Sequence, residues 1–92
     1  MIYVAQLPIV DTEKSSRLEP VHLAYINRLY REGKVVMAGP FADGLSGMVL
    51  YRAESEEEAR RLAEHDPFVL EGARTLELRA WQPLDFPLPE SH

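Results

Sequence analysis

The order of strand and helix patterns constrains the fold of this 92-residue chain more than any other feature of its sequence. β-Branched and aromatic residues from Ile2 to Leu7 predict a strand, which stops at Pro8. A helix, a hairpin of two strands, a second helix and a last strand follow, so the order is β-α-β-β-α-β. This order predicts a ferredoxin-like α+β fold, in which a four-stranded antiparallel sheet carries two helices on one face.

The first helix is predicted from apolar residues that are spaced three and four positions apart. Its start stays open between Ser16, which fits a capping box with Glu19, and Pro20, which suits a first helical turn. The preceding segment, Asp11 to Ser16, is interpreted as a polar turn, and Gly33 as the C-cap. The inward face of the helix is predicted to consist of Leu18, His22, Tyr25, Ile26 and Leu29.

The hairpin and the second helix have clear boundaries in the sequence. Lys34 to Phe41 and Met48 to Ala53 are short apolar runs joined by a connection with two glycines, which predicts two paired strands. Ser55 and a glutamate three residues later form a capping box at the start of the second helix. Pro67 ends this helix at or before Asp66, because proline disfavours helical geometry in the residue before it.

The last strand and a tail complete the chain. Charged and apolar residues alternate from Thr75 to Trp81, as in a half-buried strand. We therefore expect one domain over residues 1–83 and a proline-rich C-terminal tail over residues 84–92. The apolar residues of the tail are interpreted either as an arm that crosses a partner or as a frayed terminus. They are Leu84, Phe86 and Leu88.

The second face of the predicted sheet has no helix to cover it. A chain of this length buries only about 60–65% of the surface that it exposes when unfolded. An apolar sheet face must be covered by another layer, and a second copy of the chain would supply one. We therefore expect a homodimer in which the two sheets stack face to face.

Charge and cysteine content exclude several classes of function. Fifteen acidic and ten basic side chains give a net charge of −5, which disfavours binding to nucleic acid. The absence of cysteine excludes disulfides, thiolate nucleophiles and cysteine-bound metals. The longest apolar stretch, Val35 to Ala42, is too short to span a membrane, and no basic segment of a signal peptide precedes the first strand. We therefore expect a cytoplasmic protein that binds neither membrane nor nucleic acid.

Motifs for a cofactor or a metal are absent from the sequence. It contains no glycine-rich loop that would hold a phosphate. The three histidines, at positions 22, 65 and 92, lack the spacing of metal ligands. Ser46 has no nucleophile-elbow motif around it, so a serine hydrolase is unsupported. No cofactor and no metal are expected.

His22 lies near the middle of the apolar face of the first helix. One interpretation is a neutral core histidine whose ring nitrogen bonds a backbone carbonyl. The other is an imidazole that transfers protons and is oriented by a second side chain. Position alone leaves both interpretations open.

Asp66, which precedes Pro67 and Phe68, has two interpretations as well. It organises a turn or caps the segment that follows, or its carboxylate orients the imidazole of His22. A contact between Asp66 and His22 is geometrically possible, because the two helices lie side by side on the sheet. A carboxylate on one ring nitrogen fixes the tautomer and makes the other nitrogen more basic, which suits general acid–base catalysis.

Four further residues are candidates for contact with a substrate. Gly39, followed by Pro40, either lets a ligand approach the backbone closely or marks a bend at the end of its strand. Tyr3 and Tyr25 offer phenolic groups as polar contacts for a substrate. Aromatic residues on such strand and helix faces are also common core residues.

The chain resembles the YciI-like (YCII-related) family in an ordered set of motifs that covers about Met1 to Pro83. The motifs are His22-Leu23-Ala24-Tyr25-Ile26 through Gly33, then Val36-Met37-Ala38-Gly39-Pro40, then Asp66-Pro67-Phe68 before a strand that ends at Trp81. The resemblance implies a dimeric α+β barrel fold and an active site that contains His22 and Asp66. The pocket-wall residues that it implies are Gly39, Pro40 and Phe68.

The resemblance also implies a class of reaction. Some relatives are similar in fold to muconolactone isomerases, and one branch contains a cofactor-independent dehydrochlorinase of chlorinated hydroxyhydroquinones. We therefore expect a lyase or isomerase that acts on a small cyclic or aromatic molecule, with His22 moving a proton and Asp66 orienting it. The alternative is a non-catalytic small-molecule-binding or interaction module, because one fold supports many functions.

Overall fold

A computed structural model describes residues 1–90 of the chain, so Ser91 and His92 lie outside the described residues. The sheet is antiparallel with strand order β2-β3-β1-β4. This arrangement confirms the predicted ferredoxin-like α+β fold. The strands are β1 (Ile2–Gln6), β2 (Val35–Pro40), β3 (Gly47–Arg52) and β4 (Glu77–Trp81), and the helices are α1 (Thr12–Arg31), α2 (Glu56–Glu64) and α3 (Pro67–Leu70).

The sheet buries the face that the helices cover. Tyr3 of β1 pairs with Tyr51 of β3, and Ala5 pairs with Val49, so these four side chains point to the same side. All four are buried in one core cluster. The helices contribute apolar residues to the same cluster, among them Ile26, Leu29, Ala59 and Ala63.

Helix α1 begins earlier than predicted. Asp11 is its N-cap, and the carboxylate of Asp11 accepts a hydrogen bond from the Lys14 backbone N–H at 3.0 Å. The polar turn and the later start predicted from the sequence are therefore wrong. Ser15 is buried in the first turn, and its hydroxyl accepts a hydrogen bond from Arg74 Nε at 3.1 Å, so tertiary contacts hold this turn. Pro20 lies inside the helix rather than at its start.

The segment after α2 contains a helix that the sequence pattern did not predict. Ser55 caps α2 as predicted, since its side chain accepts a hydrogen bond from the Glu58 N–H at 3.1 Å. Helix α2 ends at Glu64, and the four-residue helix α3 starts at Pro67 with Asp66 as its N-cap. This short helix places Asp66 between two helix ends.

The second sheet face is not covered by the helices. Alternation along the strands puts Val4, Met48 and Leu50 on this face, where they line a shallow cavity of about 340 Å³ with Arg79 and Trp81. Beyond Trp81, residues 82–90 form neither helix nor strand. The apolar tail residues in this part are exposed; they are Leu84, Phe86 and Leu88. Within residues 1–90, no helix has the length and apolar character needed to cross a bilayer.

Candidate active site

His22 and Asp66 are in direct contact. Nδ1 of His22 lies 2.8 Å from Oδ1 and 2.9 Å from Oδ2 of Asp66. The imidazole points inward from the third turn of α1, and its side chain is only 12% exposed. The partner of His22 is thus a carboxylate and not the backbone carbonyl of the core-histidine interpretation.

Asp66 is completely buried and serves two groups at once. Its Oδ1 accepts a hydrogen bond from the Phe68 backbone N–H at 2.9 Å, which caps α3. Both carboxylate oxygens also face His22. The capping and orienting interpretations of Asp66 therefore describe the same geometry, because the cap fixes the carboxylate that contacts the imidazole.

The contact determines which ring nitrogen of His22 is available. An ionised carboxylate only accepts hydrogen bonds, so Nδ1 of His22 carries the proton and donates it to Asp66. The second ring nitrogen, Nε2, then holds the lone pair of the neutral imidazole. Within the part of the chain that the structure describes, Nε2 makes no hydrogen bond, so it is free to accept a proton.

Phe68 fixes the plane of the imidazole. The two rings stack with centroids 4.0 Å apart and an angle of 20° between their planes. Phe68 is 2% exposed, so its ring is held in the core by the packing around α3. Phe68, predicted only as pocket wall, therefore also positions His22.

A cavity of about 140 Å³ opens beside the imidazole. Gly39 and Pro40 at the end of β2 form one side of this cavity, and His22 and Phe68 form another. A Cβ atom added at Gly39 would meet no protein atom within 4 Å, so a side chain at this position would not clash with the protein. The described residues thus bring together five of the seven predicted site residues.

The two predicted tyrosines are not brought to this cavity. Tyr3 is buried in the core on β1, where it pairs with Tyr51 of β3 and Ala80 of β4. Tyr25 donates a hydrogen bond from its hydroxyl to the Leu62 carbonyl at 2.6 Å and thereby ties α1 to α2. Burial, and after it the negative charge of Asp66, raises the pKa of the Tyr25 phenol.

Arg74 and Glu19 also line the cavity, and neither is predicted from the sequence as a site residue. The Arg74 guanidinium lies 4.0 Å from the centroid of the Phe68 ring. Burial lowers the pKa of Arg74, whereas the carboxylates of Asp66 and Glu19 act in the opposite direction. A single arginine in the connection between α3 and β4 carries no sequence signal, because tertiary packing alone brings it to the site.

The arrangement is suited to moving a proton. It contains an imidazole with one nitrogen fixed by a buried carboxylate and the other nitrogen beside a cavity. A carboxylate in this position stabilises the imidazolium that forms when Nε2 accepts a proton. Within residues 1–90 no group of three or more His, Asp or Glu side chains is arranged to hold a metal ion.

Two solved structures share the fold. The structure of 5-chloro-2-hydroxyhydroquinone dehydrochlorinase (TftG) from Burkholderia phenoliruptrix AC1100, in complex with 2,5-dihydroxybenzoquinone, matches with a TM-score of 0.76 and 21% identity. The match covers 89% of this chain and 94% of TftG. Rv0793 from Mycobacterium tuberculosis matches with a TM-score of 0.60 and 18% identity, over 95% of this chain and 98% of Rv0793.

Sequence relatives point to one family. YjpA of Bacillus subtilis strain 168, an uncharacterized protein, is 34% identical over 61 residues, which cover 66% of this chain and 72% of YjpA. YciI of Escherichia coli O6:H1 is 36% identical over 84 residues, which cover 78% of this chain and 86% of YciI. The model of the YCII-related domain matches residues 1–82. The chain therefore belongs to the YCII-related domain family.

Proposed function

We propose that this protein is an acid–base enzyme of lyase or isomerase type that acts on a small cyclic or aromatic molecule. The observation that carries the proposal is the hydrogen bond between His22 Nδ1 and the buried Asp66 carboxylate, next to a cavity of compact size. A base that is fixed by a carboxylate on its far side is a common arrangement for proton transfer.

In the proposed mechanism, His22 Nε2 accepts a proton from a carbon or hydroxyl of the bound molecule. The electron pair of the broken bond stays on the substrate, and the imidazolium is stabilised by Asp66. An isomerase returns the proton from Nε2 to another atom of the substrate. A lyase instead lets a leaving group depart with an electron pair, and the proton passes from Nε2 to solvent. Phe68 holds the imidazole plane in both cases.

The structural neighbour supports the chemistry proposed here. TftG is a dehydrochlorinase of a chlorinated hydroxyhydroquinone, and it was solved with a small quinone. Loss of hydrogen chloride from a hydroxylated ring requires proton transfers, first to form a keto tautomer and then as chloride departs with its electron pair, and an imidazole can carry out such transfers. The cavity of about 140 Å³ beside His22 suits a molecule of this compact size.

The proposal is tested by proton exchange with solvent. Small hydroxylated quinones and hydroquinones, starting with 5-chloro-2-hydroxyhydroquinone, are incubated with the protein in D₂O, and deuterium incorporation and chloride release are followed. His22→Gln retains a donor towards Asp66 but has no basic nitrogen, so it should lower the rate by about 10²–10⁴-fold. His65→Ala is the control, because His65 is exposed and its ring nitrogen Nδ1 contacts the Arg61 carbonyl rather than the cavity.

Two outcomes would count against catalysis. An unchanged rate in folded His22→Gln protein would remove His22 from the mechanism. Tight binding of a compound without exchange or release of any group would instead indicate a small-molecule-binding module.

We further propose that the protein acts as a homodimer stacked through the open sheet face. This face exposes apolar side chains together with both charge signs, since Glu77 and Arg79 of β4 lie on it. Two copies related by a twofold axis can place Glu77 of one copy near Arg79 of the other. Val4 and Trp81 would then be covered by the open sheet face of the second copy.

Sedimentation velocity at micromolar concentrations tests the dimer. The parent chain should sediment as a dimer, and Val4→Glu on the open face should shift it to monomer. Val21→Glu is the matched control, because Val21 is 51% exposed on α1 and lies outside the sheet. A parent chain that stays monomeric would contradict the proposal.

A further inference from the structure

Arg74 is a cavity residue that the proposed proton transfer does not use. Its Nε donates to the Ser15 hydroxyl at 3.1 Å, and its Nη1 donates to the Leu7 carbonyl at 3.3 Å. A guanidinium has five N–H donors, and residues 1–90 provide Arg74 with these two hydrogen bonds. The remaining donors are therefore available to a molecule in the cavity.

The guanidinium of Arg74 has a fixed position relative to the imidazole of His22. Both groups lie over the Phe68 ring, each 4.0 Å from its centroid. If the imidazole and the guanidinium lay on the same face of the Phe68 ring at that distance, they would clash with each other. They therefore lie on opposite faces of the ring. Phe68 thus separates a base and a cation that line the same cavity.

Space for the guanidinium is provided by Gly47 at the start of β3. A Cβ atom added at this buried glycine would lie 3.1 Å from Arg74 Nη1 and 3.3 Å from the Gly39 carbonyl oxygen. Any side chain at position 47 would therefore push against the head of Arg74. The cavity wall is shaped around the guanidinium.

Arg74 also lacks a protein anion at contact distance. Among residues 1–90, the ion pairs within 4.0 Å do not include Arg74. Glu19 lines the same cavity and is exposed. A half-buried cation with spare donors and no ion pair is well suited to binding an anion, because charge-assisted hydrogen bonds are about twice as strong as neutral ones.

We propose that Arg74 binds an anionic oxygen of the ligand, so that the cavity selects compact planar molecules that carry a carboxylate or an ionised hydroxyl. This inference rests on the proposed function for the role of the cavity, but it concerns binding and does not require turnover. In a catalysed reaction the same guanidinium would stabilise the negative charge that forms when His22 removes a proton.

Isothermal titration calorimetry at pH 8 with three probes tests the inference. Benzoate presents a carboxylate, 4-nitrophenolate presents an ionised hydroxyl, and benzamide is a neutral molecule of similar shape. The parent protein should bind at least one anion about 10- to 100-fold more tightly than benzamide. The anion that binds more tightly identifies whether the site prefers a carboxylate or an ionised hydroxyl.

Variants test whether Arg74 causes the preference for anions over benzamide. Arg74→Gln should abolish the preference for anions, and Gly47→Ala should weaken it by displacing the guanidinium. Arg28→Gln should leave it unchanged, because the Arg28 side chain is 64% exposed and lies outside the cavity. His22→Gln should retain anion binding, so a failure of catalysis and a failure of anion recognition give different results.

An independent variant covers the case in which Arg74→Gln does not fold. Glu19→Gln changes an exposed side chain and should tighten anion binding about threefold, with no effect on benzamide. Equal affinity of the parent for benzamide and both anions would overturn the inference. So would an anion preference that persists in folded Arg74→Gln protein, or an unchanged anion affinity in Glu19→Gln.

Discussion

Asp66 contacts His22 with both carboxylate oxygens, at 2.8 and 2.9 Å, although 43 residues separate the two in the chain. The contact depends on the short helix α3, because the N-cap position of Asp66 aims its carboxylate back at α1. The buried Asp66 side chain therefore both caps α3 and contacts the candidate catalytic residue His22. Different substitutions at Asp66 can separate the capping role from the contact with His22.

Asp66→Asn should be milder than Asp66→Ala in its effect on stability. Asparagine still caps α3 and still offers one oxygen to His22, so the free energy of unfolding should fall by about 1 kcal/mol. Alanine removes the cap and leaves Nδ1 of His22 unpaired, which should cost about 2–4 kcal/mol. Urea unfolding measures both values. Equal stability of the alanine variant and the parent would show that the contact contributes nothing to folding.

Phe68→Leu should disturb the site more than its loss of stability suggests. Leucine fills most of the buried volume, so the free energy of unfolding should fall by about 1–3 kcal/mol. It cannot stack on His22 or hold the guanidinium of Arg74, so anion affinity and proton exchange should both decrease. Phe41→Leu is the control, since Phe41 is 38% exposed and lies outside the His22 cavity. Unchanged anion affinity in Phe68→Leu would assign the ring to packing alone.

Much of the fold follows from local patterns in the sequence. Apolar spacing predicts α1 and alternation predicts β4, because each of these elements turns one face to the core. Short apolar or β-branched runs predict β1, β2 and β3, and a capping box with Pro67 predicts α2. The start of α1 is predicted too late, because the capping box at Ser16 and the proline at position 20 are both local helix-start signals that lie inside the helix. Asp11 caps the helix, and the contact between Ser15 and Arg74 that holds its first turn is not local in sequence.

The candidate site is predictable only in part, because some of its residues are placed by contacts that are distant in sequence. His22 stands out because a histidine on an apolar helix face must have a polar partner. Asp66 stands out only through its place before Pro67 and through the family resemblance. Arg74 has no local signal at all, since its position depends on the Phe68 ring and on the space beside Gly47.

Removing the hydroxyl of Tyr51 and removing that of Tyr25 should change the free energy of unfolding in opposite directions. The Tyr51 hydroxyl is buried and has no hydrogen-bond partner within residues 1–90, so Tyr51→Phe should raise the free energy of unfolding by about 1 kcal/mol. The Tyr25 hydroxyl bonds the Leu62 carbonyl, so Tyr25→Phe should lower it by about 1 kcal/mol. Urea unfolding at pH 7 compares the two variants. A destabilised Tyr51→Phe protein would mean that this hydroxyl is bound by water or by another group.

Alkaline pH should destabilise the protein through the same two phenols. Burial, and after it the charge of Asp66, raises the pKa of Tyr51 and of Tyr25 above the ordinary value of 10.0. Above pH 10 the unfolded chain therefore loses protons that the folded chain retains, so the free energy of unfolding falls as the pH rises. Their contribution is fully present below pH 10 and is lost above it, at up to about 1.4 kcal/mol per pH unit for each group.

Urea unfolding of the parent at pH 8, 10 and 11 measures this loss. Stability should change little between pH 8 and pH 10 on account of these groups and should fall between pH 10 and pH 11. Tyr51→Phe should show a shallower fall, because one of the two perturbed phenols is gone. Tyr30→Phe is the control, since Tyr30 is 60% exposed on α1 and its loss should leave the slope as in the parent. A Tyr51→Phe slope equal to that of the parent would show that the buried phenol does not couple folding to pH.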